Sequence, residues 1–353
     1  MWSSPKDTMA TSNEPPQDEQ TLTLEPTEAG SSRDAQAVAP TRPQVPSETQ
    51  AERFTTEPER EPDLVAIVTP GTRDPGTSGT IESTIPIPDG LKLPKTSSTA
   101  SARLLGAIGM VDTDPLRARL ELSELVAGGE LDATDRAAAR SALNQLGRTI
   151  FYTPEMIPED RFTRRYQIQS GDSLDRIARS KDVHAEWTMI QDINQISNPS
   201  RIQLGQGLKL PVGVFHAIVS KSDFVMDLYL SNEHGDIIVA SYPVGLGALN
   251  GTPTGGFRVR SNSKLVNPQW KNPRTGEFFL PDDPSNPIGE RWIGLEGTDT
   301  SNQGLLGYGI HGTVDPDSIG DNQSMGCIRL LAPDVERVYD AITTKGSTIT
   351  INP

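Results

Sequence analysis

One cysteine, Cys327, occurs in 353 residues, and one of the four histidines, His311, stands in the same short stretch. That stretch reads Tyr308-Gly-Ile-His311-Gly-Thr313, a polar loop, then Ser324-Met-Gly-Cys327-Ile-Arg329-Leu. A lone thiol has no intrachain disulfide partner, so it is either a small buried apolar group or a reactive one. Nucleophilic thiol chemistry needs a base to take the proton, a group to orient that base, and hydrogen-bond donors aimed at the oxyanion. The stretch can supply each: Cys327 as nucleophile, His311 as base, and the amides of Met325, Gly326 and Cys327 as donors. The carbonyl of Gly312 or Thr313 can fix the imidazole tautomer, with Asp315, Asp317 and Asp321 as alternative orienters.

The elements that must position these residues have a period of two. Phe215–Val219, Phe224–Leu230 and Asp236–Tyr242 alternate as strands, broken by Lys221-Ser-Asp and by Asn232-Glu-His-Gly235. Phe257-Arg-Val259 and Trp292–Leu295 suggest further strands, Pro333–Ile342 one helix, and Ser347–Ile351 a closing edge strand. Trp270 and Trp292 fit core or lid packing. His184, His216 and His234 fall at surface or packing positions without metal-ligand spacing, so no metal and no cofactor are expected.

Upstream, Arg165–Gln169 alternates as a strand, Ser170-Gly-Asp-Ser173 turns and caps, Leu174, Ile177 and Ala178 begin a helical stripe, and Trp187, Ile190 and Ile193 suggest a second helix. Leu204–Pro211 reads as a turn and a closing strand. Before this unit, Asp114-Pro115 and Asp132–Asp135 open two helices whose apolar stripes imply a small hairpin ending near Ile150. Residues 1–100 hold fourteen of the twenty-nine prolines and sixteen acidic against eight basic residues. Such a segment buries too little apolar surface to offset chain entropy, so a disordered acidic spacer is expected.

With net charge -15 and no clustered Lys and Arg, the chain is a poor nucleic-acid binder. Its start, Met-Trp-Ser-Ser-Pro-Lys-Asp, lacks a basic-then-apolar signal pattern, and no apolar run is long enough for a transmembrane span.

The His311-Gly-Thr and Ser-x-Gly-Cys327-Ile-Arg-Leu segments resemble the signature of the YkuD-like L,D-transpeptidases, bacterial enzymes that cross-link peptidoglycan. Thr252-Pro-Thr-Gly-Gly-Phe257, Asn267-Pro-Gln-Trp270 and Asn286-Pro-Ile-Gly289-Glu-Arg-Trp-Ile-Gly-Leu295 have counterparts in that family. The resemblance implies that Cys327 is the nucleophile, His311 the base and Arg329 the polar position two residues after the nucleophile; Gly312 and Thr313 are the candidate support of the base, and Tyr308, Ser324 and Arg329 the candidate substrate contacts. Met325 stands where many members carry a second histidine. Residues 165–211 are similar to the LysM module, a βααβ unit that binds the N-acetylglucosamine backbone of peptidoglycan or chitin. That likeness implies glycan contacts at Gly171, Asp172, Ser173 and Leu174 and at Asn198, Pro199 and Ser200. The expected organisation is a multidomain chain: spacer 1–100, helical hairpin and linker 101–160, LysM module 164–212, and a mostly β, sandwich- or barrel-like catalytic domain 214–353. The implied partner is peptidoglycan and the implied place the bacterial cell envelope. The implied reaction is a thioester-forming acyl transfer that releases D-Ala and makes a 3-3 cross-link. Hydrolysis of the same thioester, attachment of an envelope protein, and non-catalytic peptidoglycan binding are the alternatives.

Overall fold

A computed structural model describes residues 99–179 and 183–353. The spacer expected over 1–100 lies outside them, except for Thr99 and Ala100, which open the first helix.

Three helices come first: α1 (Thr99–Gly109), α2 (Pro115–Gly128) and α3 (Ala133–Leu146). Asp114 caps α2 through the Arg117 amide and Asp132 caps α3 through the Asp135 amide at 2.8 Å. The expected hairpin is thus a three-helix layer. Its missing member, α1, contributes Leu104 and Ala107 to a cluster with Leu122, Leu143 and Leu146. Burial of each of these leucines stabilises the layer by about 1.5–3 kcal/mol. A π-turn at Gly147–Phe151 follows α3. There a Cβ on Gly147 would stand 2.3 Å from the Val239 carbonyl oxygen, so only glycine admits this approach.

A βααβ unit comes next: β1 (Thr163–Gln167), α4 (Leu174–Ala178), α5 (Trp187–Ile193) and β3 (Gly207–Pro211), with β1 antiparallel to β3. Between α4 and α5, the two-residue β2 (Val183–His184) leaves the unit and pairs with β4 (Gly213–Ser220) in parallel. The rest of the large sheet comprises β5 (Val225–Asn232), β6 (Gly235–Pro243), β8 (Gly255–Val266), β11 (Arg291–Gly297), β12 (Gly309–His311), β14 (Ile328–Arg329) and β15 (Thr348–Asn352). Its order is β14-β12-β11-β8-β15-β4-β5-β6. Outside it lie β7 (Leu246–Gly247) paired with β13 (Asn322–Ser324), and a hairpin of β9 (Trp270–Lys271) and β10 (Phe278–Phe279). The helix α6 (Ala332–Ala341) packs Val335 and Val338 into the core that the curled sheet encloses.

The closing strand is not an edge strand. β15 runs between β8 and β4, antiparallel to the first and parallel to the second, which buries Ile349 and Ile351. The true edge at β6 is covered by the helical layer. Ile238 N–H donates to Ser123 Oγ (2.9 Å), and Asn144 takes the Ser241 amide (2.7 Å) while giving a bond to its carbonyl (2.9 Å). Because helices cover this side, β5 and β6 read as continuous buried runs, whereas β4 keeps the alternation of a strand covered on one face.

Candidate active site

His311 ends β12, and the short β14 begins one residue after Cys327. The two strands run parallel with Ile310 opposite Ile328 and His311 opposite Arg329. Since side chains alternate, Ile310 and Ile328 enter the core, and His311, Cys327 and Arg329 leave by the other face. Cys327 directly precedes β14, so thiol and imidazole come from neighbouring segments of the chain.

The histidine is held from two sides. Its Nδ1 lies 2.6 Å from the Gly312 carbonyl, which fixes the proton on Nδ1 and leaves Nε2 as the acceptor. Its ring stacks on Trp292, with centroids 5.8 Å apart and planes 18° from parallel. The tryptophan is its register partner on β11. Among the candidate carboxylates, Asp321 is taken up by the Asn322 amide and the Gln323 side chain. Thr313 spends its hydroxyl on the Asp315 backbone, so the loop braces itself and leaves the imidazole to Gly312.

The thiol is half-buried, and its Sγ points to the Gly307 carbonyl at 3.6 Å. Burial pushes it up to about 11, partly offset by the Gly309 amide and the Arg329 guanidinium. Burial also drives the His311 imidazolium down to about 4, with Arg329 adding to that drop and the Gly312 carbonyl opposing it. Burial thus disfavours the charged form of each group, thiolate and imidazolium alike. Arg329 Nε is buried and has no hydrogen-bond partner among the described residues.

The loop ahead of the thiol is tied into itself at two residues. Ser324 is buried, donates its hydroxyl to the Cys327 carbonyl (2.6 Å) and accepts the Gly326 N–H (3.0 Å). Its hydroxyl shapes the loop, and the Gly326 amide is engaged by it. Gly326 itself adopts φ 124°, and a Cβ there would lie 2.7 Å from the Tyr308 ring. The upstream segments brace this loop. Thr252 Oγ1 accepts the Gly247 N–H (2.8 Å), and a Cβ on Gly247 would meet the Gly326 Cα at 2.7 Å. Buried Asn302 ties the Asp299 amide and the Gly256 carbonyl together, ahead of the loop that carries Gly307. Trp292 and Asn302 were not among the site residues expected from sequence. A tryptophan in an apolar run and an asparagine in a polar loop carry no distinguishing pattern.

In the βααβ unit, Asp172 accepts from Tyr166 Oη (2.6 Å) and the Gln169 amide (2.8 Å). Ser173 caps α4, and Asn198 caps the turn at Pro199–Arg201. Gly171, Ser173, Asn198 and Ser200 are exposed and Pro199 half-buried, so their loops face solvent. Leu174 is 2% exposed and its side chain belongs to the core.

The family model for the YkuD L,D-transpeptidase catalytic domain matches residues 215–351, and that for the LysM domain matches 166–211. YkuD of Bacillus subtilis strain 168, which carries the name of an L,D-transpeptidase, is 30% identical over 198 residues, covering 53% of this chain and 98% of the relative. The chain belongs to the YkuD family of L,D-transpeptidases. A second Bacillus subtilis protein named as an L,D-transpeptidase, YqjB, is 34% identical over 130 residues, 36% of this chain and 65% of its own. Among solved structures, Mycobacterium tuberculosis L,D-transpeptidase 1 is 19% identical over 42% of this chain and 68% of that one, at a TM-score of 0.27. The helical layer at 99–146 lies outside both matched regions of this YkuD-family chain. Among the described residues no helix is long and apolar enough to cross a membrane.

Proposed function

We propose that this chain is a peptidoglycan L,D-transpeptidase of the cell envelope that works through Cys327, with its LysM module holding the glycan strand. The observation that carries the reading is an oriented His311, whose Nδ1 is held by the Gly312 carbonyl so that Nε2 is left to accept, on the strand that pairs with β14, which the chain's only thiol directly precedes. His311 Nε2 takes the thiol proton as sulfur attacks the carbonyl joining the third stem residue to the terminal D-Ala. The amides of Met325 and Cys327 hold the resulting oxyanion. The C–N bond breaks, the D-Ala nitrogen leaves with the proton from His311, and a thioester remains. The side-chain amine of a second stem then loses a proton to His311 and attacks the thioester. A 3-3 amide cross-link forms and the thiol regains its proton. The Arg329 guanidinium, which suits bidentate recognition, binds the substrate carboxylate. The imidazole acts as a neutral base because burial disfavours its charged form, so proton transfer accompanies attack and does not precede it.

Mass spectrometry of the protein incubated with tetrapeptide-bearing muropeptides tests this, beside Cys327→Ala. The expected products are a thioester adduct on the wild type, free D-Ala and a cross-linked dimer, with none from the variant. D-Ala release without a dimer would reassign the activity as a carboxypeptidase. An unreacted thiol with muropeptides still bound would leave only peptidoglycan binding.

A further inference from the structure

Between α5 with the turn that follows it and α6 lies a cleft of ≈ 540 Å³. One wall belongs to the LysM module and carries Gln191, Gln195 and Ser197; the other belongs to the catalytic domain and carries Arg291, Glu336 and Arg337. Its charges are matched in pairs across and along the cleft: Arg337 with Asp192 at 3.1 Å and Arg291 with Glu336 at 3.2 Å. Asp340, the remaining acid in the lining, has its carboxyl pushed up to about 6 by burial. The cleft therefore offers no excess positive charge to a carboxylate or phosphate. It offers amides, a hydroxyl and the unused valences of half-exposed ion pairs, which suit neutral hydroxyl and acetamido groups.

Its position adds a second argument. Ser197 directly precedes Asn198-Pro199-Ser200, and on the other wall the Arg291 carbonyl accepts the Gly312 N–H (3.4 Å) one residue before Trp292. The cleft thus occupies the ground between the exposed LysM loop and the strand ends that carry His311. Its walls are fixed relative to each other by the β2–β4 pairing, by Glu186 N–H on the Asp340 carbonyl (2.8 Å) and by Lys264 on Glu186 (2.5 Å).

We infer that this cleft is an extended glycan subsite, seating further N-acetylated sugars of the strand that the LysM loops grip. The inference rests on the glycan-binding reading of the LysM module given above. Calorimetric titration of the full chain with stem-free N-acetylglucosamine oligomers of increasing length tests it. For the wild type, affinity should keep rising as the oligomer outgrows the LysM loops. Gln195→Ala with Ser197→Ala removes exposed hydrogen-bonding groups, and Ser197→Trp fills the space. Both should weaken the longest oligomer about tenfold. Both should leave the shortest oligomer, and D-Ala release from a glycan-free tetrapeptide, unchanged. An unaltered length dependence in both variants, with the wild type still binding, overturns the subsite and spares the LysM reading. A wild type that binds no oligomer overturns both. Loss of tetrapeptide turnover with glycan affinity intact also overturns the subsite, by assigning the cleft to peptide.

Discussion

Burial disfavours the charged forms of Cys327 and His311 for one shared reason: the fold that buries them penalises both ionic forms at once. A thiol held near 11 should alkylate in proportion to its small thiolate fraction. The rate with iodoacetamide should climb about tenfold per pH unit from pH 6 to 10. As Cys327 is the only cysteine, intact-protein mass reads this directly. A plateau reached below pH 7 would show a thiolate–imidazolium pair and defeat the neutral description. The side chains able to do this chemistry were legible in the sequence because cysteine and histidine are rare in it. Ser324, expected as a substrate contact, turns out to be tied into its own loop. A serine beside a nucleophile looks available until the turn that carries it supplies both an amide and a carbonyl to its hydroxyl. Trp292 was missed for another reason: its stacking on His311 follows from the register of β11 on β12, which no spacing along the chain discloses.

At the scale of elements, the helical layer is tied to the sheet by charges as well as by leucines. Buried Asp227 of β5 accepts from Arg140 and from Ser241 Oγ, and Arg140 and Arg136 of α3 both reach Asp223. The arginines hold the Asp223 carboxyl well below the usual carboxylate range. Asp227→Ala would leave Arg140 buried with one partner fewer, at a cost of about 3 kcal/mol or more in urea unfolding. Arg140→Met combined with Asp227→Leu should recover most of that loss. Equal losses in the single and double variants would refute the pairing as the cause. The longer strands of the catalytic domain and the two capped helices α2 and α3 were readable from apolar runs between turn signals and from Asp114 and Asp132. The two- and three-residue strands β7, β9, β10, β12, β13 and β14 were too short to show. The place of β15 was not readable, because being last in the chain says nothing about position in a sheet. The first helix was also unread, since Leu104 and Ala107 make a stripe too short to stand out beside a Pro-rich tail.

For the whole molecule, the three parts described share surfaces to a degree that domain-by-domain reading understates. Tyr229 and Ile238 of the sheet lie in the helical cluster, while Phe151 and Tyr152 from beyond α3 lie in the main core. Lys209 of β3, 1% exposed, donates to the carbonyls of Ile150, Thr153 and Glu155, and burial pulls its ammonium down to about 8. A chain cut to begin at residue 160 should therefore bind a hydrophobic dye and melt at a lower temperature than the full chain. It loses the cover of β6 and the aromatic pair together. An unchanged Tm without dye binding would mean that the layer is an independent attachment. The LysM module is bound as firmly to its neighbour: β2 adds to the large sheet, and His184 Nδ1 and Arg337 hold further contacts across the junction. A sugar-holding module on a loose linker would let the thiol sample any stem within reach. Built into one body with the thiol, it turns distance into selection. Under the proposed function, only a stem at a set offset from the gripped sugars would meet Cys327, and the protein would measure along the strand before it joins.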